Sequence, residues 1–223
     1  MPNILAFIDV ETLGLDNLRH RVIEVGYAVV RDDDWSTLKI TNHRFKPTTD
    51  DFRCAEPKAL EVNGYRHGHE DWEGAPECGT LAATEIWSSV ARDLEGATLA
   101  NQNIPFDRKF VWAELCKHHV QRPNNTAYSM LQDMLVDGPW RSEAIEVRQF
   151  SREFAKLAGI SGSLSPVYEH LKGPKMRMHR SVTDVLAAIW VYAEGLSRFK
   201  QTATDDIKEA VRGYIRDNGL EVA

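Results

Sequence analysis

Two acidic residues end the first apolar segment of the chain. Asp9 and Glu11 follow the apolar run 4–8 and precede a turn at Gly14, a pattern that predicts a short buried strand. Side chains alternate faces along a strand, so the two carboxylates share one face, about 7 Å apart. Carboxylates at the end of a buried strand repel each other unless a proton or a cation lies between them. The pair is therefore either a solvated strand end or part of a site for a hard ion such as Mg²⁺ or Mn²⁺.

Three further polar residues lie near predicted helix starts. Asp107 follows Pro105 in the first turn of one helix, where the helix dipole favours an ionised acid. Asp184 lies in the first turn of a later helix, and His179 lies in the loop before it. Only a histidine outside the helix can reach the same site as Asp184. Each acid alone is also typical of an ordinary helix start, since Ser181 and Asp184 have the spacing of a capping box.

Composition and charge limit the classes of function. The chain has 223 residues, 43% apolar and 27% charged, which is typical of a globular protein. Its net charge of -6 excludes a general polyanion binder, so contact with nucleic acid must be local or bridged by metal ions. The isolated cysteines Cys54, Cys78 and Cys116 predict a reducing, cytoplasmic location. We expect no membrane contact, because no signal peptide precedes the first strand and no apolar run approaches roughly 18 residues.

Hydrophobic periodicity and turn residues predict the elements that position these side chains. The aspartates 32–34 are expected to cap a hairpin turn, so that the first three strands form a meander. His118 and His119, at the end of the third predicted helix, are expected at the surface. The predicted strands cover residues 4–12, 21–30, 36–45, 98–100 and 126–130. The predicted helices cover residues 56–62, 80–94, 105–119, 147–157, 167–171, 181–198 and 205–217.

Two more groups of residues can bind ligands. Cys54, His67, His69 and Cys78 carry the thiolate and imidazole groups that zinc prefers. Their spacing matches no compact zinc module, so a loop that collected them by chance is the simpler interpretation. The segment 172–180 contains four lysines and arginines and no acid. It is either a solvated loop or a local contact for phosphates.

Three motifs occur in a fixed order along the chain. They are Asp9-Val-Glu11, Asn103-Ile-Pro-Phe-Asp107 and His179-Arg-Ser-Val-Thr-Asp184. With the strand Val22-Ile-Glu-Val-Gly26, the segment Glu56-Pro-Lys-Ala-Leu60 and the pair Asn63-Gly64, they resemble the DEDDh-type 3′-5′ exonucleases, which include the proofreading epsilon subunit of bacterial DNA polymerase and RNase T. The resemblance spans about residues 3–197. Leu13 and Gln102 depart from it, since a Thr or Ser and a His are frequent at these positions.

The resemblance implies an α/β protein with an RNase H-like fold, in which a mixed five-stranded sheet is flanked by helices. We expect an exonuclease domain at residues 1–198. The C-terminal extension 199–223 contains an amphipathic helix that is expected to pack on this domain. The alternative is a docking helix for a polymerase, another nuclease or a second copy of the chain.

The resemblance also implies a chemistry. Two Mg²⁺ or Mn²⁺ ions about 4 Å apart ionise the attacking water and neutralise the leaving oxygen. Asp9, Glu11, Asp107 and Asp184 are the implied metal ligands, and His179 is the implied general base.

The implied substrate is a single-stranded nucleic acid or a 3′ end, with DNA slightly favoured over RNA. The implied products are nucleoside 5′-monophosphates. Thr12, Leu13, Asn103 and Phe106 are the candidates for holding the terminal nucleotide. Lys175 and Arg177 are the candidates for the phosphates. The alternatives are an exoribonuclease that trims RNA and a catalytically silent module that binds nucleic-acid ends.

Overall fold

Five strands form one sheet in the order β3-β2-β1-β4-β5. The computed structural model describes residues 3–65, 72–120 and 138–222. Strands β1, β2 and β3 pair antiparallel as the predicted meander, while β4 pairs parallel with β1 and β5 pairs parallel with β4. The strands are β1 (Ile4–Thr12), β2 (Val22–Arg31), β3 (Asp34–Arg44), β4 (Thr98–Asn101) and β5 (Ala144–Glu146).

Helices cover both faces of this mixed sheet. Along the described parts of the chain they are α1 (Thr49–Arg53), α2 (Pro57–Asn63), α3 (Leu81–Asp93), α4 (Ile104–Lys117), α5 (Val147–Ala158), α6 (Leu164–His170), α7 (Ser181–Lys200) and α8 (Asp205–Asp217). None of the described helices is long and apolar enough to span a membrane. The expected α/β architecture is therefore present.

The alternation of side chains along β1 separates two apolar cores. Leu5 and Phe7 belong to the core that contains α5, α6, α7 and α8, whereas Ala6, Ile8 and Val10 belong to the core under α3 and α4. The Phe7 ring lies 5.4 Å from the ring of Tyr192 on α7. Asp9 and Glu11 continue the Leu5 and Phe7 series, so both carboxylates lie on the face that α7 covers.

The predicted fifth strand, residues 126–130, lies outside the described residues. The strand that occupies the fifth position in the described sheet is Ala144–Glu146, which periodicity did not predict because three residues give no period. The predicted hairpin turn is confirmed at Asp32 and Asp33, and Asp33 pairs with Arg31 at 3.1 Å.

The C-terminal helix α8 has the bounds that periodicity predicted. It buries Ile207, Val211 and Ile215 in the core that α7 shares. The apolar side of α8 is thus covered by the chain itself. The proposed division at residue 198 stays a prediction, and α7 continues beyond it to Lys200.

The expectation that His118 lies at the surface is wrong, whereas His119 is exposed. The His118 ring is buried between Arg21, whose Nη2 lies 2.9 Å from Nε2, and Thr84, whose Oγ1 lies 2.8 Å from Nδ1. Burial and then the charge of Arg21 lower the pKa of His118 to about 4. This imidazole is therefore neutral, although the helix end by itself would favour its cation.

Candidate active site

Three carboxylates meet where β1 ends. The ligand oxygens of Asp9, Glu11 and Asp184 all lie within 4.8 Å of one another. The first two come from one face of β1, and the third comes from the first turn of α7. The structure therefore brings together residues that are more than 170 positions apart in the sequence.

A close approach of α7 to β2 places Asp184. A Cβ atom at Gly26 would lie 2.7 Å from the backbone of Ser181, so only glycine lets the start of the helix lie this close to the strand. The N-cap of α7 is Arg180, not Ser181, and the Ser181 hydroxyl donates to Oδ1 of Asn42 at 3.1 Å. The capping-box interpretation of Ser181 is wrong, since this hydroxyl anchors the helix to β3.

Asp107 joins the cluster through a residue that sequence reasoning missed. The amide nitrogen of Asn101, at the end of β4, lies 3.3 Å from Oδ1 of Asp9 and 3.2 Å from Oδ2 of Asp107. It also donates to the carbonyl of Ile8. Asp107 accepts a second hydrogen bond from the backbone N–H of Val10 at 3.2 Å. Asn101 thus bridges two of the predicted metal ligands. Its sequence signal was an amide at the end of a buried strand directly before the Asn103 motif.

Burial, and then repulsion between the acids, disfavours the ionised carboxylates of this cluster when no cation is bound. Burial, and then Asp107, Asp184 and Glu11, raise the pKa of Asp9 well above its usual range. Burial also raises the pKa of Asp107 to about 8 and that of Asp184 to about 7. Burial therefore outweighs the helix dipole at Asp107 in the metal-free protein, although the helix start by itself favours the ionised acid. A divalent cation would offset both the cost of burying the carboxylates and the repulsion between them, because its positive charge favours their ionised form.

The donor set fits a hard divalent ion. All ligand atoms are carboxylate oxygens, the type that Mg²⁺ and Mn²⁺ prefer. The alternative zinc site receives no support: His67 and His69 lie outside the described residues, Cys54 is exposed, and burial raises the pKa of Cys78 to about 12. Among the described residues, Asp9, Glu11 and Asp184 form the one group of three or more His, Cys, Asp or Glu side chains with metal-binding spacing.

The family of this chain follows from a comparison over most of its length. Residues 6–192 match the RNase T family model, described as an exonuclease. The chain belongs to this exonuclease family. No protein with a curated description matches it significantly.

Solved structures of exonucleases share this RNase H-like fold. One is E. coli exonuclease I, in a zinc-bound complex with single-stranded DNA, at 13% identity and a TM-score of 0.65, with 97% of this chain and 43% of that chain covered. Another is exonuclease I of Methylocaldum szegediense, at 15% identity and a TM-score of 0.63, with the same coverage. A complex of the E. coli enzyme with a dT13 oligonucleotide has a TM-score of 0.62, at 15% identity, with 89% of this chain and 42% of that chain covered. The chain spans less than half the length of these proteins.

A cavity of about 270 Å³ lies beside the carboxylates of this family member. It is formed by the end of β1, by α2 and by the first turn of α4, and its lining includes Glu11, Thr12, Asn63 and Phe106. The Thr12 hydroxyl donates to the carbonyl of Gly14 at 2.7 Å, and the Thr12 carbonyl accepts from the amide of Asn63 at 3.1 Å.

Two predicted substrate residues have different surroundings. The Leu13 side chain is fully buried in a core cluster with Tyr65 and Trp72. Its N–H donates to the carbonyl of Arg21, and its carbonyl accepts from the N–H of Glu56. Leu13 is therefore not proposed as a substrate contact. Asn103 is half-buried at the N-cap of α4, where its side chain makes no capping hydrogen bond.

His179 lies in the loop before α7 and contacts the carboxylate cluster through Asp184. Its backbone has a φ of 63°, in the left-handed region, and its N–H donates to Oδ1 of Asp184 at 3.3 Å. The residue is exposed, as are Lys175 and Arg177 in the same loop. The backbone bond fixes the loop to a predicted metal ligand and leaves the imidazole free to face solvent or substrate.

The raised pKa of Asp184 predicts how replacing it changes stability. Between pH 4 and 7 the folded protein keeps a proton on Asp184 that the unfolded chain has lost, so this residue destabilises the metal-free fold increasingly as pH rises. In Asp184→Asn this loss is absent, and the amide oxygen can still accept from His179. We expect the variant to gain stability over wild type as pH rises from 5 to 7 and to gain no more above pH 7. Urea unfolding in EDTA measures this difference, with the exposed Asp33→Asn as control. A difference that does not change with pH would contradict the assignment.

Proposed function

We propose that this protein is a metal-dependent 3′-5′ exonuclease that releases nucleoside 5′-monophosphates from the 3′ ends of single-stranded nucleic acid, DNA before RNA. The observation that carries the proposal is the cluster of Asp9, Glu11 and Asp184. Asp107, tied to Asp9 by Asn101, completes the set. The fold neighbours include exonuclease I bound to single-stranded DNA, which supports DNA as the first substrate.

The residues of the cluster have separate roles in this proposal. Two Mg²⁺ or Mn²⁺ ions, when bound, supply the charge that lowers the pKa of the attacking water and stabilises the leaving oxygen. Asp9 would serve both ions, Glu11 and Asp184 would hold the ion at the attacking water, and Asp107 would contribute at the leaving group. His179 accepts the proton of the water.

The terminal nucleotide is proposed to occupy the cavity beside Glu11. The Phe106 ring can pack against a base or sugar, since it forms one wall of that cavity. Thr12 contributes backbone contact, and Asn103 offers an amide that is not used in capping its helix. Lys175 and Arg177 are proposed to contact the phosphates, because both are exposed in the loop that carries His179.

Two alternatives use the same site. An exoribonuclease would use the same acids and His179 with an added contact to the 2′-hydroxyl of RNA. A catalytically silent end-binding module is disfavoured, because a silent member is expected to lack one or more of the four acids or His179, and all five are present. We further propose a cytoplasmic location, which fits three free cysteines. A polymerase or second copy bound at 199–223 would have to use the polar side of α8.

Hydrolysis of 5′-labelled single-stranded DNA, duplex DNA and RNA tests the proposal. We expect products that shorten one nucleotide at a time from the 3′ end, with nucleoside 5′-monophosphates released, DNA hydrolysed faster than RNA, and no activity in EDTA. Cleavage of a closed circular strand would contradict exonuclease action, because a circle has no end. Activity undiminished by chelation would contradict the role of the metal.

A further inference from the structure

A second cavity lies beside the carboxylate cluster, between β3, the loop before α7 and the segment after α8. Its volume is about 440 Å³, which is within the range of sites that hold small ligands. Three arginines line it, Arg44 on β3 and Arg177 and Arg180 in the loop, and the Arg180 guanidinium also lies over the Tyr65 ring at 4.3 Å. Tyr214 and Asn218 add a phenol and an amide. This set of donors is typical of sites that bind phosphate.

The sheet register links this cavity to the metal site. Glu11 of β1 pairs with Glu24 of β2, which pairs in turn with Arg44 of β3. Paired residues lie on the same face, and neighbouring strands are about 4.8 Å apart. Arg44 is therefore about 10 Å from Glu11 on the same side of the sheet. Arg180, which lines the cavity, follows His179 directly in the chain.

The carboxylates in the cavity wall do not cancel its positive charge. Glu24 accepts from the amide of Asn42 at 2.8 Å and from the hydroxyl of Tyr65, and it pairs with Nε of Arg44 at 3.7 Å. Glu221 is exposed at the outer end. Three guanidinium groups against two carboxylates leave an excess of one positive charge, in a protein whose net charge is -6.

The C-terminal segment forms one wall and is bonded to the basic loop. Met176 forms an antiparallel bridge with Glu221, and the N–H of Val222 donates to the carbonyl of Lys175 at 3.2 Å. This segment lies beyond residues 6–192, which match the family model. Family membership alone therefore does not predict the cavity.

We propose that this cavity binds a phosphate group of the nucleic-acid strand upstream of the terminal nucleotide, through the guanidinium groups of Arg44 and Arg177. The proposal rests on the proposed function, because it assumes that the 3′ end lies at the carboxylate cluster. The strand then leaves the active site over β2 towards β3. Its second anchor is provided by Arg44 of β3 and by Arg177 of the loop, and the C-terminal segment supports this loop through its bonds to Lys175 and Met176.

Binding of a labelled 12-residue oligothymidylate in EDTA tests this proposal without any turnover. We expect the Kd of Arg177→Gln to rise about tenfold, the worth of one hydrogen bond to a charged group. The double variant Arg44→Gln and Arg177→Gln should weaken binding further. The slope of log K against log salt should fall by about 0.7 for each phosphate that a variant no longer neutralises. Arg31→Gln removes the same charge at the far end of β2 and should change neither quantity.

The outcomes separate the possible ligands. An unchanged Kd and salt slope in Arg177→Gln and in the folded double variant would overturn the proposal. Loss of thymidine 5′-monophosphate binding in these variants, with oligothymidylate binding intact, would overturn the strand assignment and identify a free nucleotide as the ligand. Arg177 is exposed, so its single substitution carries the test if the double variant unfolds. Absence of hydrolysis with normal arginine-dependent binding would count against the proposed function alone.

Discussion

Replacing His179 with asparagine should lower turnover by roughly 10²–10⁴-fold, the usual worth of a positioned general base. Asparagine tolerates the left-handed backbone that His179 adopts, with φ at 63°. The loop and its hydrogen bond to Asp184 should therefore persist, while the group that accepts the proton is lost. Single-turnover hydrolysis at saturating Mg²⁺ measures the change.

Two further measurements distinguish chemistry from loop order. Added imidazole should restore part of the rate of His179→Asn if the lost function is proton transfer. Metal binding, measured by thermal unfolding with and without Mg²⁺, should stay at the wild-type level because His179 is not a proposed ligand. His119→Asn is the matched control, since His119 is also exposed and has a positive φ of 50°. If the rate of His179→Asn falls by no more than about threefold, the loss is far smaller than that expected for a general base. That result would show that His179 only orders the loop.

Replacing Asp9 with asparagine should abolish hydrolysis and should leave the metal-free fold as stable as wild type or more stable. Asp9 is half-buried beside three other carboxylates, and burial and then the charges of these acids raise its pKa. Removing its charge therefore relieves repulsion while keeping the size of the side chain. Activity should fall to the level of wild type in EDTA, because Asp9 is the carboxylate shared by both proposed metal positions.

Thermal unfolding with Mg²⁺ supplies a readout for Asp9 besides activity. Mg²⁺ at one hundred times its Kd should stabilise wild type by about 2.7 kcal/mol, and Asp9→Asn should gain less. Asp50→Asn, at an exposed position that pairs with Arg53, is the control and should respond to Mg²⁺ as wild type does. Equal metal-induced shifts in Tm for Asp9→Asn and wild type would contradict a metal site at Asp9.

The sequence by itself determined the elements whose signals are local. Alternation along β1 put Asp9 and Glu11 on one face, and periodicity gave the bounds of α8. Both follow from the geometry of a single strand or helix, so no distant contact is needed to predict them. The order of the three acidic motifs indicated the exonuclease family, and residues 6–192 match its family model.

Only the tertiary structure decided how these elements meet. The Asn101 amide reaches Asp9 across 92 positions of sequence, and neither residue carries a signal of the other. In the sequence Gly26 is an ordinary strand residue, and only the structure shows that the start of α7 lies against it. In the sequence His118 has the position of an exposed residue at a helix end, but in the structure Arg21 and Thr84 enclose its ring.

The cavity lined by Arg44 and Arg177 is also decided by tertiary packing. Its residues come from β3, from the loop before α7 and from the segment after α8. Periodicity indicates which face of an element is apolar, but it does not indicate which elements lie beside one another. The sequence therefore determined the acids, the histidine and the strands and helices that carry them. Packing of α7 and α8 against the sheet decided which charged groups share a site.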